Sequence, residues 1–149
     1  MNKAQLDNQT KGARPTLHAE KPDLETLKGL VERAADSLKD ARNKANSGAT
    51  RFNAAYSAAF CLARVALEAC GYRIAGAEGH RMTVFQNLAN TLEWKAERWR
   101  ALEDTHRLRN RFDYGDLVEV SEGQLNAAID GAQGLLDDVL RVFPHVKPK

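Results

Sequence analysis

Between about residues 50 and 70 two apolar stripes run down the same stretch of chain, and no other feature of the sequence restricts the fold as much. Phe52, Tyr56, Ala59, Ala63 and Ala66 form one stripe at helical spacing, and Ala55, Ala58, Leu62, Val65 and Ala69 form another. A helix apolar on one side lies against a core, whereas one apolar on two sides lies between neighbours. The segment is expected to be the central helix of a bundle, with its alanines letting those neighbours approach closely. Gly71 is expected to close it.

The flanking segments read as one-faced helices. Asp23 after Pro22 is a plausible N-cap, and Leu24, Leu27, Val31, Ala34, Leu38 and Ala41 then recur at alternating three and four until Asn46-Ser47-Gly48. Phe85, Leu88 and Leu92 mark a short third helix, and a fourth runs from about Trp94 to Phe112. Ser121 with Gln124 is a capping box opening a last helix whose buried face is Leu125, Ala128, Ala132, Leu135 and Val139, and Pro144 stops it. The stretch from Gly71 to Gly79 reads as a loop without the setting of a dinucleotide-binding turn. With no strand-like alternation and no internal repeat, the expected fold is all-α: an antiparallel bundle of about five helices over residues 22–143. Residues 1–21 are polar and aperiodic, with Lys3, Lys11, Arg14 and Lys21, and are expected to form a flexible N-terminal tail; residues 144–149 form a C-terminal one.

A chain of 149 residues is long enough for one domain with its own core. The mean hydropathy of −0.52 and the absence of any run near the ~20 apolar residues of a membrane span predict no membrane association. The polar start, Met1-Asn2-Lys3-Ala4-Gln5, lacks a signal-peptide core, so a cytoplasmic location is expected. Cys61 and Cys70 fall in one helix, roughly 13 Å apart along its axis, too far to bridge, and read as small core residues. His18, His80, His106 and His145 are scattered away from any ligand-spaced cluster, so neither a metal nor another cofactor is expected. The net charge of +2 is too small to identify a nucleic-acid partner by itself.

The fourth helix is the informative one. At ~100° per residue, Trp94, Ala101, Thr105, Leu108 and Phe112 share an arc expected to face the core, with Arg100, Asp104, Arg107 and Arg111 solvated. A mixed face remains: Trp99, Leu102, His106, Arg109, Asn110 and Asp113, with Tyr114 at its edge. Aromatic and arginine side chains together suit a protein interface, and Trp99 with Leu102 is expected to lie at a dimer contact. The same residue types suit a phosphodiester, whose charge a fixed guanidinium can stabilise. The plainer alternative is that Arg109 and Asp113, four apart, only pair on the helix surface.

Two runs resemble the HEPN family. Arg51-Phe52-Asn53-Ala54-Ala55-Tyr56-Ser57-Ala58-Ala59-Phe60, continuing to Ala69-Cys70-Gly71, is similar to that family's aromatic-rich second helix. Leu108-Arg109-Asn110-Arg111-Phe112-Asp113-Tyr114-Gly115 resembles the Arg-Asn-x-x-Asp-Tyr-Gly variant of its Arg-x4-6-His motif. With the helix order, the likeness covers roughly residues 23–142. It implies an up-and-down bundle that forms a homodimer, with the two motifs meeting in a cleft. Many members are metal-independent ribonucleases of toxin or defence systems; others work beside small nucleotidyltransferases.

Carried over, Arg109 matches the motif arginine and Asn110 the polar residue after it. Catalytic members hold histidine where this chain has Tyr114. A tyrosine with an ordinary pKa near 10 is ionised in only ~0.1% of molecules at pH 7, so Tyr114 suits a general acid or hydrogen-bond donor better than a base. His106, one turn before Asn110, is the candidate to supply the base; the alternative is a helix histidine with no role. The resemblance thus implies a homodimer binding RNA or a nucleotide through Arg109, Asn110 and Asp113, with two readings open. One is a weakened metal-independent ribonuclease, using Arg109, Asn110, Tyr114 and His106, in a toxin–antitoxin or nucleotidyltransferase pair. The other is a catalytically inactive adaptor acting through protein–protein contacts.

Overall fold

A computed structural model describes residues 1–76, 81–113 and 119–149, and only the backbone of Arg81, Phe112 and Asp113. The chain is an all-α bundle with one small two-stranded sheet. Its elements are α1 (Lys3–Asn8), β1 (Leu17–Ala19), α2 (Leu24–Arg42), α3 (Gly48–Ala69), β2 (Tyr72–Ile74), α4 (Arg81–Gln86), α5 (Leu88–Thr91), α6 (Ala96–Asp113) and α7 (Glu122–Val142), followed by a 3-10 turn (Pro144–Val146).

The two-striped helix is central. α3 packs along α2 on one side and α7 on another, and also touches α4, α5, α6 and β2. Both of its stripes are buried apart from Ala69, which packs half-buried on the main core. Ser47 caps its start by accepting from the Thr50 amide at 3.2 Å, and Gly71, at φ +93°, turns the chain out of its end. The last helix also follows its sequence: the capping box forms, with both bonds at 3.0 Å, and Leu125, Ala128, Ala132, Leu135 and Val139 are buried. Asp23 precedes α2 but its carboxylate caps no backbone amide; it accepts from the Thr26 hydroxyl at 3.0 Å.

Three expectations need correction. Residues 1–21 are not a tail: α1 and β1 bring Leu6 and Leu17, both 0% exposed, onto Leu67 and Tyr72. Leu17 pairs with Ile74 and Ala19 with Tyr72 in the antiparallel sheet, so part of the stretch read as a loop is a strand. Polar side chains also hold the segment in place. Tyr72 donates its hydroxyl to Asp7, and the amides of Gln9 and Asn87 exchange two hydrogen bonds, at 2.7 and 3.0 Å. The hydrogen bond from Tyr72, with that from Lys3, holds the Asp7 carboxyl below the usual carboxylate range.

The second correction is at the other terminus, where Val146 is fully buried in the main core. The third is that the short third helix is two helices, α4 and α5, divided at Asn87, whose side chain is occupied by Gln9 and the Thr83 carbonyl. Among the described residues no helix is long and apolar enough to cross a membrane.

Candidate functional site

α6 begins at Ala96, not at Trp94, and this resets which of its faces is buried. Residues 93–95 are not helical, and Glu93 takes the left-handed conformation at φ 56°. Trp94 is buried, donating its indole N–H to Asp138 at 2.8 Å with the Arg98 guanidinium 3.8 Å from its ring. It is out of phase with the helix that follows. The arc drawn from Trp94 is therefore wrong: Ala101 is exposed, Thr105 and Leu108 are half-buried, and the Phe112 side chain lies outside the described residues. The inward face is the one read as mixed. Leu102, Glu103 and His106 are buried, with Trp99, Arg109 and Asn110 half-buried at its edges.

This turn of α6 places polar groups against aromatic rings from two other elements. His106, 7% exposed, lies between the Tyr56 ring of α3 (5.8 Å between centroids, 28° between planes) and the Phe85 ring of α4 (6.3 Å). Tyr56 and Phe85 each meet Phe60, at 6.4 and 6.2 Å, which closes an aromatic cluster under the histidine. Both imidazole nitrogens are engaged. Nδ1 is 2.9 Å from the Tyr56 hydroxyl, and Nε2 is 3.2 Å from the amide nitrogen of Asn110. An amide nitrogen can only donate, so Nε2 accepts, and the proton of the neutral ring sits on Nδ1 and is donated to the Tyr56 oxygen. Glu103, also buried, accepts from the Gln86 amide at 3.3 Å.

The Arg109 guanidinium carbon lies 5.0 Å from the centroid of the same Tyr56 ring, within cation–π range. Tyr56 thus holds Arg109 with its face and His106 with its hydroxyl, while His106 holds Asn110. A guanidinium and an amide, adjacent in sequence and half-exposed, are fixed from beneath by buried side chains. Of the two, the guanidinium carries the paired donors that suit an oxyanion, since the Asn110 amide nitrogen is turned to His106.

The structure brings together Arg109, Asn110 and His106 of the residues expected to form the site. Asp113 ends α6 but its side chain, like all of Tyr114, lies outside the described residues. His106 stands in a different role from the expected free base, since its accepting nitrogen is turned to Asn110. Of the expected dimer contacts, Leu102 is 2% exposed, with a terminal methyl directed at Gly131 of α7, and belongs to this chain's own core. Trp99 remains half-buried at the surface with Arg100 5.3 Å from its ring.

Tyr56, Phe85, Gln86 and Glu103 were not expected in the site. The signal for Tyr56 was present: a tyrosine on a buried stripe needs a partner for its hydroxyl, and a histidine on a neighbouring helix is a natural one. Burial raises both cysteine thiols, that of Cys70 to about 11, so their thiolate fraction at neutral pH is negligible. No protein-family model matches the chain, and no curated protein matches it.

Proposed function

We propose that this chain is a HEPN-like RNA-binding protein whose phosphodiester contact is the Arg109–Asn110 pair. The observation that supports it most is the mounting of that pair: Arg109 rests on the Tyr56 ring while Asn110 is bonded to His106. A half-exposed arginine serving only solubility needs no such support. A phosphate-binding guanidinium gains from it, because less side-chain freedom is lost when the ligand arrives. On this reading the protein is a homodimer in which two such pairs line one cleft. Of the two expected contact residues, Leu102 is buried in this chain's own core, which leaves the half-buried Trp99 to supply the contact. A nucleotidyltransferase or antitoxin encoded beside it would be its functional partner.

The same geometry favours binding over fast cleavage. His106 would have to release Asn110 before its Nε2 lone pair could take a proton from a ribose hydroxyl. The decisive experiment is fluorescence anisotropy with labelled oligoribonucleotides. Arg109→Ala should abolish binding and leave the thermal melt nearly unchanged, and Arg109→Lys should rescue poorly because lysine lacks the planar fork. Wild-type protein that binds no RNA, while pulling down a second protein through this face, would establish the adaptor reading instead. Cleavage assays with and without chelator test the ribonuclease reading, for which slow, metal-independent cleavage is the expected result.

A further inference from the structure

A polar cavity of about 280 Å³ opens between the connection from β1 to α2, the last turns of α3, and β2. Ligand cavities run from ~300 to ~1,000 Å³, so this one suits a single small metabolite. Three acidic and three basic side chains line it: Glu20, Asp23 and Glu68, with Lys21, Arg64 and Arg73. Two pairs are closed within the chain. Arg64 donates from Nε to Glu68, and Arg73 Nη1 stands 3.5 Å from Glu20 Oε2.

Three groups keep unused capacity. Lys21 has no ionic partner among the described residues, and neither has Asp23. The Thr26 hydroxyl takes Oδ2 of Asp23 at 3.0 Å and leaves Oδ1. On Arg64, Glu68 engages Nε, while neither terminal nitrogen has a hydrogen-bond partner among the described residues. That guanidinium is half-buried and held at one corner, so its planar terminal fork is offered to the cavity already oriented. Such a fork matches a carboxylate in two parallel hydrogen bonds.

We propose that this cavity binds a free α-amino acid with an uncharged side chain, its carboxylate on the Arg64 fork and its ammonium group on Asp23. The balance of charge decides between ligand classes. A simple anion would enter beside Glu20, Asp23 and Glu68, and a simple cation beside Lys21, Arg64 and Arg73. A molecule carrying both signs uses both kinds of lining, and a further charge on it would have no counterpart. The rest of the wall is Pro22 and the Tyr72 ring, whose hydroxyl is already given to Asp7, so an apolar side chain has surface to rest on. None of these groups belongs to the Arg109–Asn110 site, and the assignment holds whether or not the chain binds RNA.

The test is NMR of the full chain, following amide resonances while alanine, valine, leucine, methionine and phenylalanine are added one at a time. At least one of these L-amino acids should shift the resonances of residues 20–26 and 64–73. For that amino acid, the derivative amidated at its carboxylate and the one acetylated at its nitrogen should each bind tenfold or more weakly, the scale of one hydrogen bond to a charged group. Asp23→Asn keeps an acceptor for Thr26 and removes the charge; Arg64→Lys keeps the charge and removes the fork. Each should weaken binding to a similar degree, with Asp23→Asn melting as the wild type does. Resonances unmoved by every amino acid in the series would overturn the proposal. So would an acetylated derivative that binds as tightly as its parent, which would make this a site for simple anions, or wild-type affinity in both variants.

Discussion

Tyr56 is the residue on which most of the site depends, and its two functions can be separated. Its ring carries Arg109 and its hydroxyl reaches His106 Nδ1 at 2.9 Å, so Tyr56→Phe removes the second and keeps the first. The substitution leaves a buried imidazole nitrogen without its partner, at a cost of ~1–3 kcal/mol. Urea melts should show that loss, while the Arg109 contact and, on the proposed reading, any RNA affinity near neutral pH persist to within a few-fold. A loss of binding as severe as that of Arg109→Ala would mean that the buried hydroxyl, through His106, is needed to hold the contact in place. The burial of His106 and Glu103 was hard to read from sequence because polarity alone places a residue outside. Only the partners supplied by α3 and α4 make their burial tolerable.

The packing of α6 on α7 turns on two glycines that have no role in chain reversal. A Cβ added at Gly131 would meet a terminal carbon of buried Leu102 at 3.2 Å, and one at Gly134 would meet the end of the Arg98 guanidinium at 3.3 Å. Glycine inside a helix costs roughly 1 kcal/mol relative to alanine, so each position gives up helix propensity for proximity. The neighbours differ in how easily they yield. Arg98 is exposed and can shift while keeping Asp138 in reach, so Gly134→Ala should stabilise by ~0.5–1 kcal/mol. Leu102 is held in the core, so Gly131→Ala should gain less than Gly134→Ala or destabilise outright. Thermal melts of the two variants side by side give the order; the reverse order would mean that α6 and α7 are not in the close contact described. The error in the helical wheel of α6 arises ahead of its first turn. The periodic signal was read with Trp94 included, and the left-handed Glu93 and the residues after it separate that side chain from the phase of the helix.

At the scale of the whole molecule, the N-terminal segment is a structural part of the bundle. Leu6→Ala and Leu17→Ala should each cost ~2–5 kcal/mol in denaturant unfolding, as losses from closed packing, whereas substitutions in a tail would change stability by less than about 0.5 kcal/mol. That segment was illegible because its two leucines stand alone in polar sequence. Their partners, and the Asn87 amide that meets Gln9 across 78 residues of chain, lie far away in sequence. Periodicity and capping are properties of neighbouring residues, so the sequence by itself determined the long helices α2, α3 and α7, most of α6, the central place of α3 and the capping box of α7. Tertiary structure decided what depends on remote partners: the docking of the first twenty residues, the burial of Leu102, and the inward turn of the polar face of α6. The last of these follows from a hydrogen bond between Tyr56 and His106, fifty residues apart, which no local pattern encodes.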